Sequence, residues 1–109
     1  MEINNLVSNI GPIYIRILDD NENPVIVGTS WVINYSSKIS FDSISPGKYA
    51  IQFFHDENEN QKLDLNLIGI PKESYGSSND VKPVLGPPKF EKMLFNLTEN
   101  KKVIMVPVN

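Results

Sequence analysis

Four oxygen-bearing side chains near the middle of the sequence have the spacing of a calcium loop. If Asp56 is counted as position 1, Asn58, Asn60 and Asp64 fall at positions 3, 5 and 9, and Lys62 at position 7 needs only its backbone carbonyl. A loop that coils around a cation turns alternate side chains inward, and Ca²⁺ takes about 6–8 oxygen ligands. The spacing therefore predicts a Ca²⁺ site, and Ca²⁺ is the cofactor that we expect.

The loop is not an EF-hand, because two positions lack the residue that an EF-hand requires. Gln61 stands where Gly makes the sharp turn, and Leu67 stands where Glu binds through both oxygens. The last ligands must come from elsewhere, and the candidates by composition are Asn66, Glu73 and Asp80. The alternative interpretation is a solvated loop that binds nothing, since Asp and Asn favour turns through their own side-chain hydrogen bonds.

A second stretch of the chain gives an internal comparison. Asp19, Asn21 and Asn23 also match positions 1, 3 and 5 of a calcium loop, but the residue at position 9 is Val27. Valine offers no side-chain oxygen. This stretch is therefore predicted to be an ordinary turn.

A hydrolase would have to use the same loops, with His55 as the base for Ser74 and the neighbouring acids as metal ligands. Nothing around Ser74 resembles a nucleophile elbow, and the single His excludes a multi-histidine metal centre. The chain has no Cys, which excludes thiolate nucleophiles and disulfides. We therefore expect a binding or structural module and keep the hydrolase as the alternative.

Composition narrows the possible partners. The chain has 109 residues and a formal net charge of -3, and the whole acidic excess lies between Asp56 and Asn66. A nucleic-acid partner is not expected, because binding phosphates requires a basic face. No apolar stretch is long enough for a transmembrane helix, and the first residues lack the pattern of a signal peptide. A protein or a glycan remains the expected partner, and the oligomeric state stays open.

The segments that must position these residues have the sequence pattern of β-strands. Apolar residues alternate with polar ones, and turn residues separate the runs. The predicted strands are Ile13–Ile17, Val25–Val27, Trp31–Ile33, Lys38–Asp42, Lys48–Phe54, Lys89–Leu97 and Lys101–Val108. We expect Gly28–Ser30 to be a break or a bulge, Ser45–Lys48 a type II hairpin turn, and Thr98–Asn100 the turn of the last hairpin. The pattern predicts one domain over residues 1–109, a single antiparallel β-sandwich of about seven strands, immunoglobulin-like or prealbumin-like.

One connection, His55 to Pro88, has no run long enough for a core strand or helix and is expected to be a long functional loop. Its segment Gly69–Gly76 either folds over the acidic loop and completes a site through Glu73 and Tyr75, or merely pins the loop to the sandwich. Both glycines are expected to adopt conformations closed to other residues. Trp31 and the tyrosines form either a sugar-stacking surface or, as their strand spacing favours, part of the core.

Several strings in the second half of the chain resemble a bacterial family known as domain of unknown function 2141. They are Ser45–Ala50, the acidic loop from His55 to Asn66, Gly69–Asn79 and Gly86–Phe90, and the likeness runs from about Ile39 to the C-terminus. Gln61 stands where the family pattern has Gly. The resemblance implies a small extracytoplasmic β-sandwich, periplasmic or secreted, related in style to prealbumin-like domains. It implies no particular reaction.

Overall fold

The computed structural model describes residues 1–6, 9–41, 44–56, 74–82, 88–98 and 103–107. Over these residues the chain forms eight strands and two single-turn 3-10 helices. The strands are β1 (Glu2–Ile3), β2 (Ile13–Asp19), β3 (Pro24–Ser30), β4 (Ser37–Lys38), β5 (Gly47–His55), β6 (Tyr75–Ser77), β7 (Phe95–Leu97) and β8 (Ile104–Met105). The helices are Ser78–Asp80 and Phe90–Lys92. The all-β class predicted from the sequence is confirmed.

The larger sheet has β2 at its centre. β2 pairs antiparallel with β3 on one side and with β5 on the other. The far edge of β5 is shared by two short strands, because β6 pairs with its Gln52–Phe54 end and β7 with its Gly47–Tyr49 end. The sheet therefore has five strands, and three of them, β2, β6 and β7, pair with β5.

Between β6 and β7, a single side chain completes the edge of β5. The Ser78 hydroxyl accepts a hydrogen bond from the Ile51 backbone N–H at 3.0 Å and donates one to the Met93 carbonyl at 2.6 Å. Ser78 is fully buried. Its hydroxyl provides the hydrogen-bond acceptor that a carbonyl of a neighbouring strand would otherwise provide, since a buried backbone N–H needs an acceptor.

The smaller sheet has three strands in the order β4-β1-β8. β1 pairs antiparallel with β4 and parallel with β8. Backbone hydrogen bonds run from Glu2 N to the Val103 carbonyl at 2.8 Å and from Asn4 N to the Met105 carbonyl at 2.9 Å. This parallel pair is the one departure from the antiparallel arrangement among the described strands.

The core lies between the inner faces of the two sheets, as a sandwich requires. Because side chains alternate along a strand, Ile13, Ile15 and Ile17 of β2 all point inward and are buried. Their neighbours in the buried cluster come from both sheets and the connections: Ile3, Leu6, Val32, Ile51, Phe53 and Met105. The all-β sandwich predicted from the sequence is confirmed, and the structure shows that β2 and β5 are the central strands of its larger sheet.

Two local expectations for the first half of the chain are wrong. Gly28 does not break β3, which continues from Pro24 to Ser30. A Cβ on Gly28 would lie 2.8 Å from the Phe41 ring, so glycine is needed for close packing and not for a turn. Trp31–Ile33 is not a strand. The chain instead reverses tightly between Ile33 and Ser36, with Asn34 and Tyr35 both at positive φ.

The two predicted hairpins are also wrong in their pairing. Gly47 belongs to β5 and does not have a positive φ, and β4 before it pairs with β1 instead of β5. Near the C-terminus, β7 joins the larger sheet through β5, whereas β8 joins the smaller sheet through β1. The two strands of the predicted hairpin therefore belong to different sheets. Strand propensity located these segments only in part, since β4 covers Ser37–Lys38 and Phe90–Lys92 is a 3-10 helix within the predicted strand Lys89–Leu97. It carries no information on which strand each one pairs with.

Candidate functional site: a groove on the larger sheet

The outer face of the larger sheet, opposite the core, carries a groove of about 770 Å³. It exists because β2 alternates strictly: with its isoleucines turned inward, Tyr14 and Arg16 face outward. The strand register then places specific residues of β3, β5 and β6 on the same outer face. These residues form two transverse rows, one aromatic and one polar.

The aromatic row is Thr29, Tyr14, Phe54 and Tyr75, taken across β3, β2, β5 and β6. The rings of Tyr14 and Phe54 have their centroids 5.3 Å apart and their planes inclined by 33°. Tyr75 lies opposite Phe54 in the register of β5 and β6. All three rings are half-buried, so part of each ring faces the groove.

The polar row is Val27, Arg16, Gln52 and Ser77, taken across the same four strands. Arg16 Nε donates a hydrogen bond to Gln52 Oε1 at 2.8 Å, which fixes the guanidinium at the groove. Ser77 is buried, and its hydroxyl has no hydrogen-bond partner among the described residues. Arg16 is the one charged side chain among the described residues that line the groove.

One wall of the groove comes from a second, smaller apolar cluster. Ala50, Val81 and Met93 are buried together on the outer face, with Phe90 and Leu94 packed against them. Gln52 Nε2 contacts Met93 Sδ at 3.5 Å, so the polar row meets this wall directly. The two hydrogen bonds of Ser78 hold the same wall against β5.

Burial raises the pKa of the Tyr75 hydroxyl above its ordinary value of 10.0. The charged phenolate would lose solvation at this position, which favours the neutral form. The hydroxyl therefore keeps its proton at neutral pH and can donate a hydrogen bond.

The acidic loop begins at a firmly held point. Asp56 follows β5 directly, is fully buried, and donates its backbone N–H to the Pro12 carbonyl at 2.9 Å. The other predicted calcium ligands, which are Asn58, Asn60, Lys62, Asp64 and Glu73, lie outside the described residues, as does Asn66. Within the described part of the chain, no three His, Cys, Asp or Glu side chains are grouped as metal ligands would be. The predicted Ca²⁺ site therefore stays a prediction.

The candidate general base, His55, is fully buried. Its Nε2 contacts the Ile10 carbonyl at 2.7 Å, and since a carbonyl can only accept, Nε2 carries the hydrogen. The other ring nitrogen, Nδ1, has no partner among the described residues. Ser74 meets His55 through the backbone, where the His55 N–H donates to the Ser74 carbonyl at 2.7 Å.

The side chains of Asp19 and Asp80 accept hydrogen bonds from backbone N–H groups. Asp19 Oδ1 accepts hydrogen bonds from the backbone N–H groups of Asn21 and Asn23, both at 2.9 Å, so this stretch is the turn that was predicted. The carboxylate of Asp80, a composition-based ligand candidate, accepts the Val106 N–H at 3.0 Å. Each of these carboxylates is a backbone acceptor.

The segment after the acidic loop differs from expectation. Tyr75–Ser77 forms strand β6, so the stretch from His55 to Pro88 is not without a strand. Gly76 does not have a positive φ; a Cβ there would lie 2.7 Å from the Phe53 ring and 2.9 Å from the Val106 carbonyl oxygen. The interpretation in which Tyr75 attaches this segment to the sandwich agrees with the pairing of β6.

Sequence reasoning missed the groove because it assigned the strand-spaced aromatics to the core. Trp31 and Tyr35 are in fact exposed, while Tyr14 and Tyr75 line the groove. The available signal was the run Ile13-Tyr14-Ile15-Arg16-Ile17, in which every second residue must leave the core. A strand of a sandwich that carries Tyr and Arg on its outer face already indicates a surface with binding capacity.

The fold and this groove together define a small all-β sandwich protein with one aromatic outer sheet face. The chain belongs to a bacterial family described as "Uncharacterized protein conserved in bacteria (DUF2141)", whose sequence profile matches residues 1–105. The match reaches further towards the N-terminus than the motifs after Ile39. Neither the curated proteins nor the solved structures compared with the chain include a match. None of the described residues forms a helix long and apolar enough to cross a membrane.

Proposed function

We propose that this protein is a binding module and not an enzyme, and that its ligand lies in the groove on the outer face of the larger sheet. The observation that carries the proposal is the aromatic row, in which Tyr14, Phe54 and Tyr75 line a groove of about 770 Å³. Ligand sites commonly have volumes of roughly 300–1,000 Å³ and are lined by apolar and aromatic side chains with a few polar groups. The groove has this size and this lining.

A neutral apolar dye tests this function. N-phenylnaphthylamine fluoresces when it enters an apolar site, and we expect the wild type to enhance its emission. Phe54→Ala removes the central ring of the row and should weaken dye binding about tenfold, since a buried aromatic contributes roughly 1–3 kcal/mol. Tyr35→Ala, which removes an exposed ring far from the groove, is the matched control. No enhancement by the wild type, or equal loss in both variants, would contradict the proposal.

The position of His55 supports a function without catalysis. A general base must reach the proton that it abstracts. The His55 ring is fully buried and its Nε2 is engaged by the Ile10 carbonyl. The alternative hydrolase would need this ring to leave its site, so a hydrolytic turnover that disappears in His55→Gln, with the fold retained, would favour the alternative.

Calcium binding by the acidic loop is a second candidate function, and what supports it is the fixed position of its first ligand. Asp56 is held directly after β5 by its bond to Pro12, so the loop starts from a rigid point. The spacing of Asn58, Asn60 and Asp64, with the Lys62 carbonyl and Glu73, supplies the remaining ligands of this proposal.

Calorimetric titration with Ca²⁺ tests the calcium site. A ligand that binds only the folded state must stabilise it, so we expect heat and a higher Tm at about 1 mM Ca²⁺. Asp56→Ala combined with Asp64→Ala should remove both effects, whereas Asp20→Ala, in an exposed turn, should keep them. If the wild type shows neither effect, the acidic loop is a solvated loop or part of a purely structural domain.

We further propose that the protein works outside the cytoplasm, in the periplasm or after secretion. The family resemblance supports this compartment, and the absence of Cys is compatible with it. Fractionation of cells that express the native gene would test it, with the protein expected in the periplasmic or extracellular fraction.

A further inference from the structure

We propose that the groove binds a small organic acid with a flat apolar body. Its carboxylate would lie on the Arg16 guanidinium, and its flat body on the aromatic row. This inference rests on the proposed function, because it assigns a chemical class to the ligand of the same groove. Three features support it: the positive charge of Arg16, the rings of the aromatic row, and the distance between the aromatic and polar rows.

The charge in the groove selects an anion. Gln52 holds Arg16 through Nε alone, at 2.8 Å, which leaves the two terminal nitrogens of the guanidinium without a hydrogen-bond partner among the described residues. The ion pair seen in the described part of the chain joins Lys38 to Glu2 in the other sheet. A guanidinium presents parallel N–H groups that match the two oxygens of a carboxylate. A ligand carboxylate would provide the missing acceptors.

The rest of the lining selects an apolar, flat body. Tyr14 and Phe54 form a nearly continuous ring surface, with centroids 5.3 Å apart and planes inclined by only 33°. Offset stacking on such a surface favours a planar ring system. Met93 and Val81 form the wall beside Gln52, and the methionine side chain can adapt its shape to a flat ring.

The two rows lie at the right separation for one small molecule. Arg16 follows Tyr14 by two residues on the same face of β2, which places the rows about 7 Å apart. One or two fused rings with a carboxylate attached directly can therefore contact both rows at once.

An oligosaccharide fits the same lining less well. Sugars need several hydrogen-bonding groups around an aromatic platform, whereas most of the side chains that face the groove are apolar or aromatic, including Val27, Val81, Pro88 and Met93. A neutral sugar would also leave the Arg16 guanidinium without an anionic partner. A glycan is therefore an outcome of the test and not the proposed ligand.

The test compares two probes of equal shape, naphthoate and naphthamide, by NMR amide titration of the intact chain. We expect both to shift the amides of Tyr14, Phe54 and Tyr75, and naphthoate to bind about threefold to fivefold more tightly. The factor is modest because Arg16 is exposed, and solvent screens the attraction between its guanidinium and a carboxylate. Arg16→Gln should lower the affinity for naphthoate to that for naphthamide, and Arg16→Lys should restore part of it.

Lys48→Gln is the matched control for charge. Lys48 lies on the same outer face, four residues from Gln52 along β5, and is exposed. Its removal changes the net charge as Arg16→Gln does, but we expect it to leave the naphthoate affinity within about twofold. An equal loss in both variants would mean that general attraction, and not the groove, selects the anion, and would overturn the proposal.

The two proposals fail in different ways. If naphthoate and naphthamide bind equally and Arg16→Gln changes neither, or if only an oligosaccharide shifts the groove amides, the ligand class is wrong and the groove remains a binding site. If no probe shifts any groove amide and the neutral dye also fails, the proposed function itself is wrong.

Discussion

At the scale of single residues, three glycines in strands differ in how much room their surroundings leave for a side chain. A Cβ on Gly76 would lie 2.7 Å from the Phe53 ring and 2.9 Å from the Val106 carbonyl oxygen. A Cβ on Gly28 would meet the Phe41 ring at 2.8 Å, whereas a Cβ on Gly47 has no contact closer than 3.6 Å. Side-chain rings can shift slightly, but a backbone carbonyl held by the sheets cannot do so cheaply.

We therefore predict that Gly76→Ala lowers the free energy of unfolding by about 1–3 kcal/mol, as overpacking does. Gly28→Ala should cost less, and Gly47→Ala should be neutral or stabilising by up to about 1 kcal/mol, since it reduces the entropy of the unfolded chain. Urea denaturation of the three variants measures the order. A Gly47→Ala loss as large as that of Gly76→Ala would contradict it.

Asp19 links a turn to pH. The backbone N–H of Asn23 is the main cause that holds the pKa of the Asp19 carboxyl below its ordinary value of 3.8, and Asn21 adds to it. Because the folded pKa is lower than the unfolded one, the stabilisation is present above the unfolded value. It is lost as the pH falls through the folded pKa.

Asp19→Asn keeps the shape and an acceptor oxygen but does not titrate. We expect the wild type to be more stable than this variant at about pH 6, and the difference to shrink as the pH falls through the folded pKa of Asp19. Urea midpoints across this range provide the measurement. An advantage of the wild type that stays the same as the pH is lowered would contradict this account.

At the scale of elements, the gap between β6 and β7 depends on Ser78. Ser78→Ala would leave the Ile51 N–H and the Met93 carbonyl without partners in a buried site. Each unpaired buried group costs about 1–3 kcal/mol, so we predict a loss of about 2–4 kcal/mol. The Ile51 amide should also exchange with solvent faster. Ser40→Ala, at an exposed position, should change stability by less than about 0.5 kcal/mol. Equal effects of the two variants would contradict this account.

The same elements show what the sequence could predict. The period-two alternation of Ile13–Ile17 and of Lys48–Phe54 identified both central strands and the sandwich class. Pairing was beyond reach, because the segments around Phe95 and Met105 have the same strand character but join opposite sheets. Gly28 was interpreted as a break since a sequence does not show the Phe41 ring packed against it.

The groove could not be predicted for a related reason. Its rows combine β2, β3, β5 and β6, which are brought together only by strand register. Tyr75 lies far from Tyr14 in the sequence, and no local pattern indicates that one ring separates them across the sheet. The acidic loop, by contrast, is a local pattern, and the sequence alone supports its prediction.

At the scale of the whole molecule, the smaller sheet closes the core from one side. Met105 is fully buried, while its neighbour Ile104 is 53% exposed. We predict that Met105→Ala costs about 2–5 kcal/mol because it opens a cavity between the sheets. Ile104→Ala should cost less than about 1 kcal/mol, since this side chain is exposed and does not pack in the core. Thermal unfolding of the pair provides the measurement. Similar costs would mean that β8 does not face the core as described.

The parallel pairing of β1 with β8 also has a mechanical consequence. A force that pulls the two ends of the chain apart would draw β1 and β8 in opposite directions along their common axis. The backbone hydrogen bonds from Glu2 to Val103 and from Asn4 to Met105 would then be loaded in shear. They would have to break at the same time and not one after another. The sandwich would therefore resist stretching at the same sheet that brings its first and last strands together.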